Sequence, residues 1–139
     1  MTGFTTPSGS VGNSSNRGTF FEGWRAFDHD TDWSSGSFGW QSSTLPAWLS
    51  YQFDTAQTVY SYKITTASNR KPATFTFEGR NGTDSWTVLD TQTGLTLADE
   101  ITTEFTLAAP ATYEQFRINV TNIFELTGYV WIAELELIG

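Results

Sequence analysis

Three aspartates, Asp28, Asp30 and Asp32, stand at alternate positions in the segment AFDHDTDW. Carboxylate oxygens are the donors that a hard cation such as calcium takes, and a looped backbone can turn successive ones toward one centre. The loop lacks the glycine at the sixth position and the glutamate at the twelfth that an EF-hand requires, so that device is excluded. On spacing alone, a solvated acidic turn stays open as the alternative. A second irregularity lies in GYVWIAELELIG: Val130 and Ile132 alternate, then Leu135 and Leu137 do, and the phase changes at Ala133-Glu134. Such a change marks a bulge, or a residue recruited for another task.

Other reactive chemistry is scarce. The chain has no Cys and one His, His29. Disulfides, thiolate metal sites, Cys nucleophiles and multi-His zinc sites are therefore excluded. A Ser/His/Asp triad would have to use His29, inside the acidic loop. A glycosidase needs two carboxylates across a cleft, and no insertion here builds one. The expectation is a protein that is not an enzyme.

The elements that must position these residues read as strands. Trp48, Tyr51 and Phe53 fall in AWLSYQF; in VYSYKITT, Val59, Ser61 and Lys63 alternate with Tyr60, Tyr62 and Ile64. Phe75 and Phe77 alternate in ATFTFEG, Ile101, Thr103 and Phe105 in ITTEFTL, and Phe116, Ile118 and Val120 in YEQFRINV. That period of two is the strand signature. Asn81-Gly82 signals a tight turn before a strand carrying Trp86 and Val88. Residues 20–46 show turn formers without helical periodicity and read as a long structured loop. Short strands at roughly ten-residue spacing predict an all-β sandwich.

A length of 139 residues suits one domain, with aromatics at 16% supplying much of its core. Residues 1–19 are Gly/Ser/Thr/Asn-rich and predict a flexible or partly ordered segment, a short strand at Gly3–Thr6 remaining open; residues 20–139 form the domain. Lys+Arg is 7 against Asp+Glu 15, giving a net charge of -8. That balance argues against nucleic acid, whose phosphates need Lys and Arg. No run of 18 apolar residues occurs, so no membrane insertion is expected.

Taken in order, AFDHD at 26–30, PAWLSYQFD at 46–54, YSYKITTASNRKPATFTFEGRNGTDSWTVLDTQTG at 60–94, YEQFRINVT at 113–121 and WIAELELIG at 131–139 resemble the discoidin, or coagulation factor 5/8 type C, domain. The resemblance covers residues 20–139. It implies a galactose-binding-like jelly roll of about eight mainly antiparallel strands, a fold that includes many carbohydrate-binding modules.

The resemblance also implies a structural calcium between the acidic loop and the last strand. By position its ligands would be the carbonyls of Arg25 and Ala133 and the carboxylates of Asp28, Asp30 and Glu134. This chain departs from the family pattern at His29, where a Gly is usual, and at Trp33, where a Thr is usual; Asp32 is then a further candidate ligand. For sugar binding, the resemblance points to loops at one end: Asn69 and Arg70 in SNRK, Gln41 in WQSST, and Asn122 and Phe124 in TNIFELTG. Phe124 is expected exposed there, with Trp40 covering the core. Trp33 and Phe38 are open between core and surface.

The expected function is non-catalytic binding of a glycan or cell-surface polysaccharide, an adhesion role. No secretory signal is visible at Met1. This suggests the alternative of a bacteriophage virion protein, decorating a capsid or tail and contacting other virion proteins. The expected location is extracellular or on a virion surface.

Overall fold

The computed structural model describes residues 3, 8–30, 38–124 and 128–139. The expected Gly3–Thr6 strand, Asp32 and Trp33 lie wholly or largely outside that set.

Among the described residues, seven strands form one continuous antiparallel sheet: β1 (Ser10–Asn13), β2 (Trp40–Ser42), β3 (Ala47–Thr66), β4 (Pro72–Arg80), β5 (Thr87–Gln92), β6 (Thr102–Ile123) and β7 (Val130–Ile138). Their order is β2-β7-β3-β6-β4-β5, with β1 pairing β3. β3 and β6 are the long members, and they pair along most of their length. The β3–β6 register shifts between Gln52 and Gln57 and again between Val59 and Ser61. Bulges of this kind bend and twist a strand. Here they fold the sheet over on itself, so that the all-β sandwich read from the sequence is what the chain forms.

The face-to-face packing is visible in the aromatics. Tyr62, in the second half of β3, stacks on Phe77 of β4 at 4.2 Å although the two strands are not neighbours. Phe105 stacks on Tyr62 at 5.2 Å, and Phe77 on Phe116 at 5.8 Å. The buried Tyr62 hydroxyl donates to Asp90 Oδ2 at 2.6 Å, giving the phenol the partner that burial demands. Leu49, Ile64, Phe75, Ile118 and Ile132 complete the same core.

The strict alternation expected for VYSYKITT is interrupted. Val59, Tyr62 and Ile64 are buried and Tyr60 is exposed, because the bulge next to Val59 resets which face points inward. Between β4 and β5 the connection is residues 81–86. Gly82 sits at φ +53° and Asp84 N donates to Asn81 O, so Asn81-Gly82 opens a longer turn rather than filling a two-residue hairpin.

Two segments read as loop or flexible carry regular structure. Ser10–Asn13 pairs with Leu49–Gln52 of β3. Gly23–Phe27 forms a 3-10 helix packed with Ala26 and Phe27 into the core. Trp40, at the start of β2, is fully buried as expected, and its indole N–H donates to Ser15 O at 2.9 Å.

Candidate functional site

The acidic loop begins where the 3-10 helix ends. Arg25 lies in its last turn, and Asp28 follows its final residue. Asp28 Oδ1 accepts from Asp30 N at 2.9 Å, which curls the loop. His29 has φ +59°, the left-handed region that favours glycine. So the chain keeps the backbone shape that a Gly would give here, with the imidazole turned out to solvent.

β7 meets this loop through the predicted irregularity. Thr65 pairs Glu134 and Thr66 pairs Ile132, which leaves Ala133 as the extra residue of a bulge. The bulge resets the inward face from Val130 and Ile132 to Leu135 and turns the Glu134 side chain in as well. Gly39 presses against it: a Cβ there would lie 2.3 Å from Ile132 O and 2.8 Å from Ala133 O. Only a glycine, here at φ +78°, lets the loop return so closely.

Glu134 is 6% exposed. Its Oε1 accepts from His29 N at 3.2 Å, and its Oε2 is buried with no hydrogen-bond partner among the described residues. Burial, followed by the nearby Asp28 carboxylate, pushes the Glu134 carboxyl up to about 9. An orphaned carboxylate oxygen beside a second carboxylate is chemistry that suits a cation. Among the described residues, no three His, Asp or Glu side chains are gathered as a metal-ligating group. Backbone carbonyls would have to complete any set.

The second cluster sits at the adjoining end, where three segments converge. Residues before β4 are tied to β7 and the loop before it: Trp131 N donates to Arg70 O at 3.0 Å, and Phe124 N to Lys71 O at 2.9 Å. Segment 15–21 is tied to β2, with Arg17 N donating to Gln41 O at 3.0 Å. These bonds tie the SNRK segment, through Arg70 and Lys71, to the backbone of Trp131 and Phe124. Asn122 is exposed, and its Oδ1 accepts from Ile123 N at 2.9 Å. Phe124 is half-buried rather than exposed, with the Lys71 ammonium 5.4 Å from its ring centre. Lys71 also pairs with Asp99.

Gln41 stands apart from the other candidates. It is 2% exposed, and its Oε1 accepts from Arg17 Nη1 at 3.0 Å. Its side chain is engaged in positioning Arg17 rather than open to a ligand. Phe38 is half-buried and packs on Phe21 at 5.9 Å, while its carbonyl accepts the Trp131 indole N–H at 2.5 Å.

Two residues of this cluster escaped the sequence reading. The Arg17 and Arg70 guanidinium carbons lie 3.8 and 4.0 Å from the centre of one ring, Tyr129. Arg70 adopts φ +53°, donates Nη1 to Asn69 Oδ1 at 3.2 Å, and leaves Nε buried without a partner. Arg17 lies in a Gly/Ser-rich stretch, and Tyr129 just before β7. No local pattern joins them; only the fold does.

No known protein-family description matches the chain, and no curated protein does. Solved structures do match. Chitosan-binding module 1 of a chitosanase/glucanase from Paenibacillus sp. IK-5 is similar with a TM-score of 0.77 at 24% identity, over 94% of this chain and 95% of that one. The family 32 carbohydrate-binding module of Clostridium perfringens NanJ, solved with galactose, gives 0.71 at 20%, over 93% and 92%. The family 32 module of AlyQ, solved with 4,5-unsaturated mannuronic acid, gives 0.71 at 15%, over 92% of each chain. The chain thus has the galactose-binding-like, discoidin-type fold that its sequence resembles.

Proposed function

We propose that this chain is a non-catalytic carbohydrate-binding module whose ligand site is the loop cluster of Asn69, Arg70, Asn122 and Phe124. The observation that carries this reading is Arg70. It is held in a left-handed backbone conformation, over the half-buried Tyr129 ring, with a buried N–H that no group among the described residues accepts. A buried donor without a partner is costly, and such groups gather where a ligand completes them. Sugars suit the site chemically: a pyranose presents hydroxyl acceptors on its rim and an apolar C–H face that rests on a ring. The chitosan- and galactose-binding modules that share the fold support the same reading.

Calcium is part of the proposal, as a staple rather than a reactant. Asp28, Asp30 and Glu134, with the carbonyls of Arg25 and Ala133, would hold it, and Asp32 is the reserve ligand. A bound divalent cation would neutralise the Asp28–Glu134 pair and join the acidic loop to β7. Tyr129 lies four residues before the Ala133 bulge, so the staple would steady the strand that leads into the ligand loops.

A glycan array followed by titration tests the function. Binding that falls by about tenfold or more in Arg70→Ala, with the fold intact, supports it. No binding to any glycan, together with a symmetric oligomer in solution, would move the assignment to the alternative, assembly within a virion.

A further inference from the structure

The three sugar-binding neighbours differ in the charge of what they bind. Chitosan is a polyamine, galactose is neutral and mannuronic acid carries a carboxylate. The fold therefore leaves ligand charge undecided, and this chain's own residues must decide it.

Its seven Lys and Arg are unevenly used. Arg25 faces Glu22 at 3.9 Å, Arg117 is bonded to Glu78 at 2.6 Å, and Lys71 pairs with Asp99. Among the described residues Arg17, Lys63, Arg70 and Arg80 have no such ion pair, and of these Arg17 and Arg70 meet on one ring. Their side-chain hydrogen bonds go to neutral amide oxygens, Gln41 Oε1 and Asn69 Oδ1. Both cations stack on Tyr129, whose ring offsets part of each charge but offers no in-plane acceptor to the N–H groups. A guanidinium carries five such donors. Two like charges thus share one ring, one of them with a buried orphan Nε, on a molecule of net charge -8 where carboxylates are plentiful. An incoming anion would relieve the repulsion and fill the unused donors at once.

We propose that the Arg17–Tyr129–Arg70 stack selects acidic sugars, reading the carboxylate of a uronic acid unit. The planar fork of a guanidinium matches two coplanar carboxylate oxygens, which favours a carboxylate over a hydroxyl. Arg17 and Tyr129 then act as specificity residues added to the site around Arg70. This inference rests on the glycan-binding function proposed above and names the chemical class of its ligand.

Matched probes test it: trigalacturonate and trimannuronate, each against its methyl ester, by calorimetric titration at low and high salt. The wild-type chain should bind one acid about tenfold more tightly than its ester, with the preference shrinking as salt rises. In Arg17→Gln the ratio of acid to ester affinity should fall toward one; a melting curve checks that this exposed substitution leaves the fold intact. Equal, Arg70-dependent affinity for acid and ester overturns the charge selection and leaves glycan binding standing. An acid preference unchanged in Arg17→Gln overturns the role of the stack. Absence of binding to these probes and to every array glycan overturns both the inference and the function beneath it.

Discussion

Near the two ends of β4 the molecule builds the same motif twice. Just before β4 begins, Arg70 shares Tyr129 with Arg17; at its last residue, Arg80 shares the Trp86 ring with Arg117, at 4.3 and 4.4 Å. The second stack is closed. Arg117 Nε donates to Glu78 Oε2 at 2.6 Å and Arg80 Nε to Gln115 Oε1 at 2.9 Å. These partners face each other across the β4–β6 ladder, Glu78 opposite Arg117 and Arg80 opposite Gln115. The Tyr129 stack hangs on loops and lacks the balancing carboxylate. One chemistry, balanced by a carboxylate on the strands, holds a sheet together. Left unsatisfied on loops, it is ready for something from outside.

The largest effect that separates the two should come from Glu78→Ala. It strands the Arg117 cation, whose side chain is 19% exposed, and should lower unfolding free energy by about 3 kcal/mol in a urea titration. Glycan affinity should be unaffected, since the Trp86 stack stands at the far end of β4. Calcium should act nearer the open stack. With free calcium about a hundredfold above Kd, the chain should gain about 2.7 kcal/mol over the chelated state, and Glu134→Gln should abolish the gain. An equal melting temperature in chelator and in calcium would remove the staple.

Smaller again is the contrast between the paired arginines. Arg80→Gln loses its bond to Gln115 and should cost about 1 kcal/mol. Arg17→Gln removes a like charge from beside Arg70 and should shift stability by less than about 0.5 kcal/mol. A large loss in Arg17→Gln would make the open stack structural after all.

The last test is pH. Glu134 holds its proton in the folded chain up to about pH 9, whereas the unfolded chain releases it in the ordinary carboxylate range. Across that window the folded state binds more protons. Its contribution to stability in chelator should therefore fall as pH rises, and level off above about pH 9. Glu134→Gln should flatten that slope.

Much of this was legible in the chain itself, where the cause is local. The phase change at Ala133-Glu134 announced the bulge because side-chain alternation is a property of consecutive residues. Asn69 and Arg70 sit side by side in SNRK, so their proximity needs no tertiary structure. The bend at Val59 was not legible, since Tyr60 is as apolar as its buried neighbours and nothing nearby says which face the bulge will favour. Gln41 is a ligand candidate by its place after Trp40 in WQSST, and its bond to Arg17 was not legible because Arg17 comes from a segment read as flexible. The Tyr129 stack was hidden for the same reason: cations from two distant segments meet a ring from a third, and only tertiary structure joins them.

The ladder between β3 and β6 also sets how the molecule comes together in time. The β3–β6 ladder can form only after residues 102–123 exist, and every other strand except β2 and β5 bonds to one of these two. Little can form from neighbours alone, and topologies dominated by such distant pairings fold slowly and cooperatively. The acidic loop, the open stack and the closed stack all depend on that one late event. A ribosome-bound fragment ending before β6 would hold every residue of SNRK and of the aspartate loop, and would have neither site.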